Sequence, residues 1–267
     1  MKFGIGSYTL TWSVGVPGYD APASPVTALD LLHIAHEHGI GLVQFADNLP
    51  LHTMESEELQ TLIAASQTLG IELEVGTRGT APEHLLTYLR LAKLMNTQLV
   101  RTLITTSNLH EAEQELREVL PFFEEAGVTL AIENHGMHTT RQLASLFDRL
   151  GSPFVGCCLD TVNSFSALDC PKTVIKDLLP YVVNLHLKDF DITRVDHQMG
   201  FVVLGKPAGC GKLDIPSLLA DLRLAGKSPN VILELWTPFS GSVPETVEQE
   251  QLWFRQSLDN LKVLNVW

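Results

Sequence analysis

The chain alternates short, apolar, β-rich runs with longer segments in which apolar residues recur every three or four positions. A short apolar run predicts a buried strand, and the longer periodicity predicts a helix with one buried face. We predict eight strands, at Lys2–Ser7, Gly41–Asp47, Ile71–Val75, Gln98–Ile104, Val128–Glu133, Phe154–Asp160, Tyr181–Leu187 and Val231–Leu235. Several helical segments between them end at a glycine, the residue that most readily takes left-handed backbone angles: Gly39, Gly70, Gly127 and Gly151.

Strands that alternate with helices pair in parallel, and eight such units close into a barrel. The competing architecture is an open, doubly wound sheet, which would carry a GxGxxG fingerprint at its first strand–helix turn. Here the first strand contains Gly4 and Gly6 and continues into SYTLTW, which does not match that fingerprint. We therefore predict a single α/β domain, a (β/α)8 TIM barrel, over residues 1–267.

Two connections are longer than the rest. The first follows strand one and reads TWSVGVPGYDAPASP, and the second runs from Phe190 to about Asn230 between strands seven and eight. The second is rich in glycine, so we predict a long glycine-rich loop there. Long loops at the carboxyl ends of barrel strands build active sites, although they can also merely cover the barrel mouth.

Composition narrows the function classes. There are 18 Lys plus Arg against 31 Asp plus Glu, and the net charge of −13 argues against nucleic acid or an anionic membrane surface as a partner. No apolar run approaches the roughly 18 residues of a membrane helix, and the first residues do not resemble a signal peptide. The four cysteines show no metal-binding spacing, which favours free thiols. We expect a globular cytoplasmic protein, and the sequence allows a homo-oligomer.

The strand before the second long connection carries polar residues where a barrel strand is normally apolar. Alternation along this strand places Asn184, His186 and Lys188 toward the barrel axis. Burying these three side chains without partners would cost several kcal/mol. We therefore expect other polar groups or a bound ion to satisfy them.

The last four predicted strands each end in a residue that can bind a cation: Glu133, Asp160, His186 and Glu234. In a parallel barrel these ends meet at one rim, where three carboxylates would repel one another unless neutralised. Three oxygen ligands and one imidazole suit one divalent ion, Mn²⁺, Mg²⁺ or Co²⁺, better than structural Zn²⁺. The alternative is a salt-bridged barrel end without a metal.

At these residues the sequence resembles the xylose isomerase-like TIM-barrel superfamily, which includes sugar isomerases, ketose 3-epimerases and apurinic endonucleases. The resemblance rests on AIENH, CLDTVNS, NLHLKD and ILELW, and it implies that Glu133, Asp160, His186 and Glu234 hold the metal. In the epimerase branch the two glutamates also form the acid/base pair. Epimerases often have DxxH after strand six, whereas this chain has Asn163, which disfavours the epimerase assignment. The acidic charge disfavours the endonuclease branch.

A narrower set of motifs includes GSYTLTW, ADNLPLH, EVGTRG and RVDHQMGFVVLGKPAGCGKLD. This set resembles the branch that contains 3-oxo-isoapionate decarboxylase. It implies decarboxylation of a 3-oxo sugar acid, with Glu133, Glu234 and Lys188 as catalytic residues. The alternatives are a sugar or sugar phosphate isomerase or epimerase with two glutamate bases, and a barrel that binds a sugar without converting it.

An acidic substrate needs cations near the metal, because a cluster of three carboxylates and a dication is still negative. Lys188 and Arg194 are our candidates for binding a substrate carboxylate or phosphate. For Arg78 and Arg101 the alternative is an internal ion pair with Glu74. Substrate contacts are expected from residues that follow the predicted strands: His52, Arg78, His135, Asn163 and Arg194.

Overall fold

A computed structural model of the chain describes residues 1–197 and 199–266. Eight parallel strands close into a barrel, so the predicted (β/α)8 barrel is confirmed. In their order around the barrel, the strands are β1 (Phe3–Gly6), β10 (Asn230–Leu233), β7 (Val182–Leu187), β6 (Val155–Asp160), β5 (Thr129–Glu133), β4 (Leu99–Leu103), β3 (Glu72–Gly76) and β2 (Leu42–Phe45). Gln198, in the predicted loop, and Trp267, at the end of the predicted domain, lie outside the described residues.

Helices surround the barrel. They are α1 (Thr11–Val14), α2 (Ala28–Glu37), α3 (Ser56–Leu69), α4 (Pro82–Leu94), α5 (Leu109–Ala126), α6 (Thr140–Leu150), α7 (Pro171–Leu178), α8 (Ile215–Leu224) and α9 (Val243–Val263). Short 3₁₀ turns lie at Ser7–Leu10, Leu51–Thr53, Phe165–Ala167 and Leu179–Tyr181. The predicted helix stops are confirmed at Gly70, Gly127 and Gly151, which take left-handed angles directly after α3, α5 and α6.

The barrel strands have an apolar outer face and a partly polar inner face. On β7, Leu185 and Leu187 are fully buried in the hydrophobic core. Asn184 and His186, on the opposite face, contact side chains from β2 and β3 across the barrel interior. The alternation predicted for this strand therefore agrees with the contacts, and the partners of its buried polar groups are other polar side chains.

The segment after β7, predicted to be a loop, contains an antiparallel hairpin of two strands, β8 (Asp189–Arg194) and β9 (Phe201–Lys206). Asp189 anchors the chain that follows the hairpin, because its carboxylate accepts hydrogen bonds from the backbone N–H groups of Gly209, Gly211 and Leu213. A Cβ atom on Gly211 would lie 2.2 Å from the Asp189 carboxylate. Gly211 thus allows this segment to pack closely against Asp189.

Two smaller expectations can be compared with the structure. The four cysteines are free thiols, as predicted: Cys157, Cys158, Cys170 and Cys210. Within the described ranges no helix combines the length and the apolar character needed to cross a membrane.

Candidate active site

The four predicted ligands converge at the carboxyl end of the barrel. Glu133, Asp160 and His186 lie at or near the ends of β5, β6 and β7, and Glu234 directly follows β10; all four are at most 2% exposed. His186 Nδ1 lies 3.1 Å from Glu133 Oε2 and 3.3 Å from Glu234 Oε1. One ligand atom from each of Asp160, His186 and Glu234 lies within 4.8 Å of the other two. Parallel strands ending at one rim therefore bring together residues that are far apart in sequence.

The hydrogen-bonding state of this cluster fits a cation. Among the described residues, five buried side-chain N or O atoms lack a hydrogen bond of good geometry, and four of them are Asp160 Oδ2, His186 Nδ1, Glu234 Oε1 and Glu234 Oε2. Buried polar atoms are normally satisfied. Asp160 Oδ2 and Glu234 Oε2 each contact the Lys188 ammonium, and together with Glu234 Oε1 and His186 Nδ1 they face one point where a cation would fit. Carboxylate oxygens and an imidazole nitrogen are suitable donors for Mg²⁺, Mn²⁺ or Co²⁺.

The turn after β6 fixes the orientation of Asp160. Its Oδ1 accepts hydrogen bonds from the backbone N–H groups of Val162 and Asn163, at 2.8 and 2.7 Å. Oδ2 is thereby left facing the cluster. Burial, followed by the neighbouring Glu133 and Glu234, raises the pKa of Asp160, while Lys188 lowers it. A bound dication would remove this repulsion.

Glu133 differs from the other three ligands because both of its oxygens already accept hydrogen bonds. Asn163 Nδ2 lies 2.6 Å from Oε1, and Arg101 Nε lies 2.5 Å from Oε2. Burial alone would raise the pKa of Glu133, but Arg101, His186 and Lys188 hold it well below its ordinary value. Glu133 is therefore a carboxylate that is fixed in place between a guanidinium and an amide.

The alternative considered for Arg78 and Arg101, an internal ion pair with Glu74, is wrong, because both arginines have other partners. Arg101 is in register with Gly76 on the neighbouring strand, two residues beyond Glu74, and its side chain bonds to Glu133 and to the Thr77 carbonyl. Arg78 and Arg101 both pair with Asp47, at 3.5 and 3.3 Å. The Glu74 carboxylate is instead surrounded by side-chain amides, which satisfy it without a cation.

A second cation lies inside the cluster. Lys188 Nζ is 2.9 Å from Asp160 Oδ2 and 2.8 Å from Glu234 Oε2. Burial would lower the pKa of Lys188, but Asp160 and Glu234 raise it above its ordinary value, so the side chain is an ammonium. Arg101 and Lys188 together offset two of the three negative charges of the cluster.

The chain also matches a known protein family that has this fold. The family model described as "Xylose isomerase-like TIM barrel" matches residues 32–257. The chain belongs to the xylose isomerase-like TIM barrel family. The resemblance stated from the sequence is therefore confirmed.

The chain is similar in sequence to one characterised relative and in fold to two solved structures. The chain is 34% identical over 271 aligned positions to 3-oxo-isoapionate decarboxylase of Pectobacterium atrosepticum, covering 99% of this chain and 96% of the relative. It has the fold of D-psicose 3-epimerase from Clostridium cellulolyticum H10, with a TM-score of 0.71, 16% identity, and 100% and 99% of the two chains covered. It also has the fold of a xylose isomerase-like TIM barrel protein from Mycobacterium smegmatis in complex with magnesium, with a TM-score of 0.65, 14% identity and 91% of each chain covered.

Some of the predicted substrate-binding residues lie at the ligand cluster, and others lie farther from it. Asn163 contacts Glu133, and Arg78 lies at the rim, where it pairs with Asp47. His52 bonds to Tyr88 Oη, and the His135 side chain is exposed in the loop after β5. Arg194 lies at the exposed end of β8, with its guanidinium 5.0 Å from the centre of the Phe201 ring. The substrate roles of these residues remain predictions, and the described contacts link only Asn163 directly to the ligand cluster.

Two polar residues of the site, Asp47 and Gln44, were not predicted from the sequence, and a third, Arg101, was considered with a different partner. Asp47 pairs with both arginines and accepts a hydrogen bond from Tyr8 Oη at 3.2 Å. Gln44, on β2, accepts a hydrogen bond from His186. Arg101, considered only as a partner of Glu74, holds Glu133. Gln44 and Arg101 could have been predicted from the sequence. The alternation of inward-facing and outward-facing residues that places His186 inside the barrel also places Gln44, on β2, and Arg101, on β4, there.

Proposed function

We propose that this protein is a divalent-metal-dependent decarboxylase of a 3-oxo sugar acid. Asp160, His186 and Glu234 offer unsatisfied atoms to the metal, and Glu133 completes the set. The relative named 3-oxo-isoapionate decarboxylase, 34% identical over nearly the whole of both chains, supports this reaction class and makes 3-oxo-isoapionate the first substrate to test. Structures with the same fold that were solved with magnesium or zinc support the use of a divalent metal.

The observation that carries the proposal is the presence of two cations beside the three carboxylates, one of them buried (Arg101) and the other partly buried (Lys188). Glu133, Asp160 and Glu234 contribute three negative charges, and Arg101 and Lys188 contribute two positive ones. A bound dication therefore leaves a local charge of about +1 in a poorly hydrated site, where charge interactions are strong. Such a site favours an anionic substrate over a neutral ketose.

The reaction breaks the bond between the carboxylate carbon and its neighbour. The electron pair of that bond moves toward the 3-oxo group, CO₂ leaves, and the resulting enolate is protonated on carbon. A bound dication would act as a Lewis acid that stabilises the negative charge on the enolate oxygen. The residues supply the rest: Lys188 attracts the substrate carboxylate, and the contacting pair Lys188 and Glu234 supplies the proton.

The state of Glu133 favours decarboxylation over the isomerase or epimerase alternative. Proton transfer on both faces of a sugar needs two glutamates that can each release and accept a proton. Glu133 has both oxygens occupied by Arg101 and Asn163, whereas Glu234 Oε1 and Oε2 have no hydrogen bond of good geometry. A decarboxylase needs only one proton delivery after CO₂ has left, so Glu234 together with its neighbour Lys188 is sufficient.

The experiment is incubation of the metal-loaded enzyme in D₂O with 3-oxo acids and, separately, with neutral ketoses. We expect carbon loss as trapped CO₂ and one deuterium in the shortened product, detected by NMR. Deuterium in an isomer of unchanged formula would support the isomerase instead. Saturable binding with unchanged substrate would indicate a sugar-binding protein and contradict the proposal.

A further inference from the structure

A chain of buried side chains beneath the ligand cluster connects His186 to Glu74. His186 Nε2 lies 2.7 Å from Gln44 Oε1, and Gln44 Nε2 lies 2.9 Å from Glu74 Oε2. Gln44 and Glu74 are paired in register on the neighbouring strands β2 and β3. All three side chains are at most 3% exposed, so water does not compete for these hydrogen bonds.

The chemistry of Glu74 determines which way the Gln44 amide points. A carboxylate only accepts hydrogen bonds, so the NH₂ group of Gln44 must face Glu74 and its oxygen must face His186. Asn184 Nδ2 and Asn230 Nδ2 also donate to Glu74, at 3.0 and 2.8 Å. These hydrogen bonds hold the Glu74 carboxylate in place as the acceptor for the Gln44 amide.

The oriented amide in turn determines where His186 carries its proton. The Gln44 oxygen can only accept, so Nε2 of a neutral His186 must be the protonated nitrogen. Nδ1 then keeps its lone pair, and it lies 3.1 and 3.3 Å from carboxylate oxygens of Glu133 and Glu234. When a cation is bound among these carboxylates, Nδ1 of the neutral ring therefore offers it a lone pair, in agreement with the absence of a good hydrogen bond at Nδ1.

We infer that Gln44 and Glu74 are positioning residues that fix the tautomer of His186 and aim Nδ1 at the metal. The inference rests on the metal site of the proposed function. Outer hydrogen-bond partners of metal-binding histidines typically change metal affinity by about 10- to 100-fold when they are altered. The amide between His186 and Glu74 leads to a specific expectation. Exchanging Gln44 and Glu74 keeps a donor facing an acceptor at each hydrogen bond, whereas changing only one of the two residues does not.

Gln44→Glu would place two carboxylates against each other, and Glu74→Gln would remove the group that orients Gln44. In the double variant, Gln44→Glu with Glu74→Gln, the carboxylate on β2 accepts from His186 Nε2 and the amide on β3 donates to that carboxylate. Asn184 can turn its amide to match. The total charge and nearly the total volume of the barrel interior are unchanged in the double variant, so it should fold even if a single variant is unstable.

The experiment measures Mn²⁺ Kd by calorimetry for the wild type, each single variant, the double variant and Glu72→Gln. Glu72 is an exposed residue of the same strand that pairs with Lys2, so it is the matched control. We expect about 10- to 100-fold weaker binding in the single variants, recovery to within about threefold in the double variant, and no change in Glu72→Gln. Equal affinity in all folded variants would overturn the inference.

A second readout uses ¹⁵N-histidine NMR of the wild type loaded with diamagnetic Zn²⁺. We expect Nε2 of His186 to carry the proton and Nδ1 to bear the metal-induced shift. A proton on Nδ1 with metal at Nε2 would refute the role of Gln44. A wild type that binds neither Mn²⁺ nor Zn²⁺ would instead refute the metal site of the proposed function, so the two failures are distinguishable.

Discussion

Arg101 Nε lies 2.5 Å from Glu133 Oε2, inside the barrel and away from solvent. Arg101 also reaches Asp47 and the Thr77 carbonyl, so a single guanidinium connects β5 to the segments that follow β2 and β3 at the barrel mouth. The contact holds Glu133 as a carboxylate and fixes its position beside His186. Arg101 therefore contributes both to stability and to the charge balance of the site.

Arg101→Met should destabilise the metal-free protein by about 3–5 kcal/mol, because it leaves the buried Glu133 carboxylate without its cation. Urea denaturation at pH 7 in the presence of a chelator measures this difference. The double variant Arg101→Met, Glu133→Gln should recover part of the loss, since no unpaired charge remains. A single variant as stable as the wild type would show that the pair is not needed to compensate Glu133.

Lys188→Met should weaken binding of an acidic substrate while leaving the metal site able to form. Hydrogen bonds to charged groups contribute about 1.5–3 kcal/mol, so KM for a 3-oxo acid should rise roughly 10- to 100-fold. Metal Kd should not rise, because a cation is removed from beside the metal ligands Asp160 and Glu234. Lys2→Met, at the exposed pair with Glu72, is the control. An unchanged KM would remove Lys188 from substrate binding.

Glu250 should make the stability of the protein depend on pH. The side chain, on α9, is 1% exposed and accepts hydrogen bonds from the backbone N–H groups of Trp12 and Ser13 and from the Ser13 hydroxyl. Burial raises its pKa from 4.5 to about 7, although the three donors oppose this. Between these two values the folded state holds a proton that the unfolded state releases.

Stability should therefore fall as pH rises from about 4.5 to 7 and level off above 7. The contribution of Glu250 to this fall is of order 3 kcal/mol. It is measured as the difference between urea denaturation curves of the wild type and Glu250→Gln at pH values from 5 to 8, since other titrating groups contribute equally to both. Parallel pH profiles for the two proteins would contradict the raised pKa.

Metal binding should stabilise the folded protein, because the ligands meet only in the native barrel. A ligand present at 100 times its Kd adds about 2.7 kcal/mol to the free energy of unfolding, and Mn²⁺ should therefore raise Tm by several degrees. Asp160→Asn should abolish the rise, and Asp191→Asn, on the exposed hairpin, should retain it. A Tm that responds equally to Mn²⁺ in both variants would place the metal elsewhere.

The architecture and the ligand cluster were predictable from the sequence for a simple reason. Eight alternating units leave few alternatives to a closed barrel, and a closed parallel barrel places strand ends at one rim. Glu133, Asp160, His186 and Glu234 could therefore be expected to meet without any knowledge of their distances. The alternation of β7 likewise identified His186 and Lys188 as buried groups in need of partners.

The remaining features depend on contacts across the barrel that no local pattern specifies. The partners of Arg101 and Glu74 follow from strand register, which places Arg101 level with Gly76 and leaves Glu74 among amides. The β8–β9 hairpin was predicted to be a loop because β9, the strand that pairs with β8, lies within a glycine-rich stretch. The position of Arg194 on that hairpin, beside Phe201, depends on the same missed pairing.

The most direct test of the metal-dependent decarboxylase combines two quantities from one sample. Metal-free enzyme is titrated with Mn²⁺, and bound metal per chain and the rate of ¹³CO₂ release from a carboxyl-labelled 3-oxo sugar acid are measured together. We predict no release without metal, a rate that rises in proportion to occupancy up to one ion per chain, and one ¹³CO₂ for each substrate consumed. A full rate in the metal-free enzyme, or a product that keeps the labelled carbon, would contradict the account.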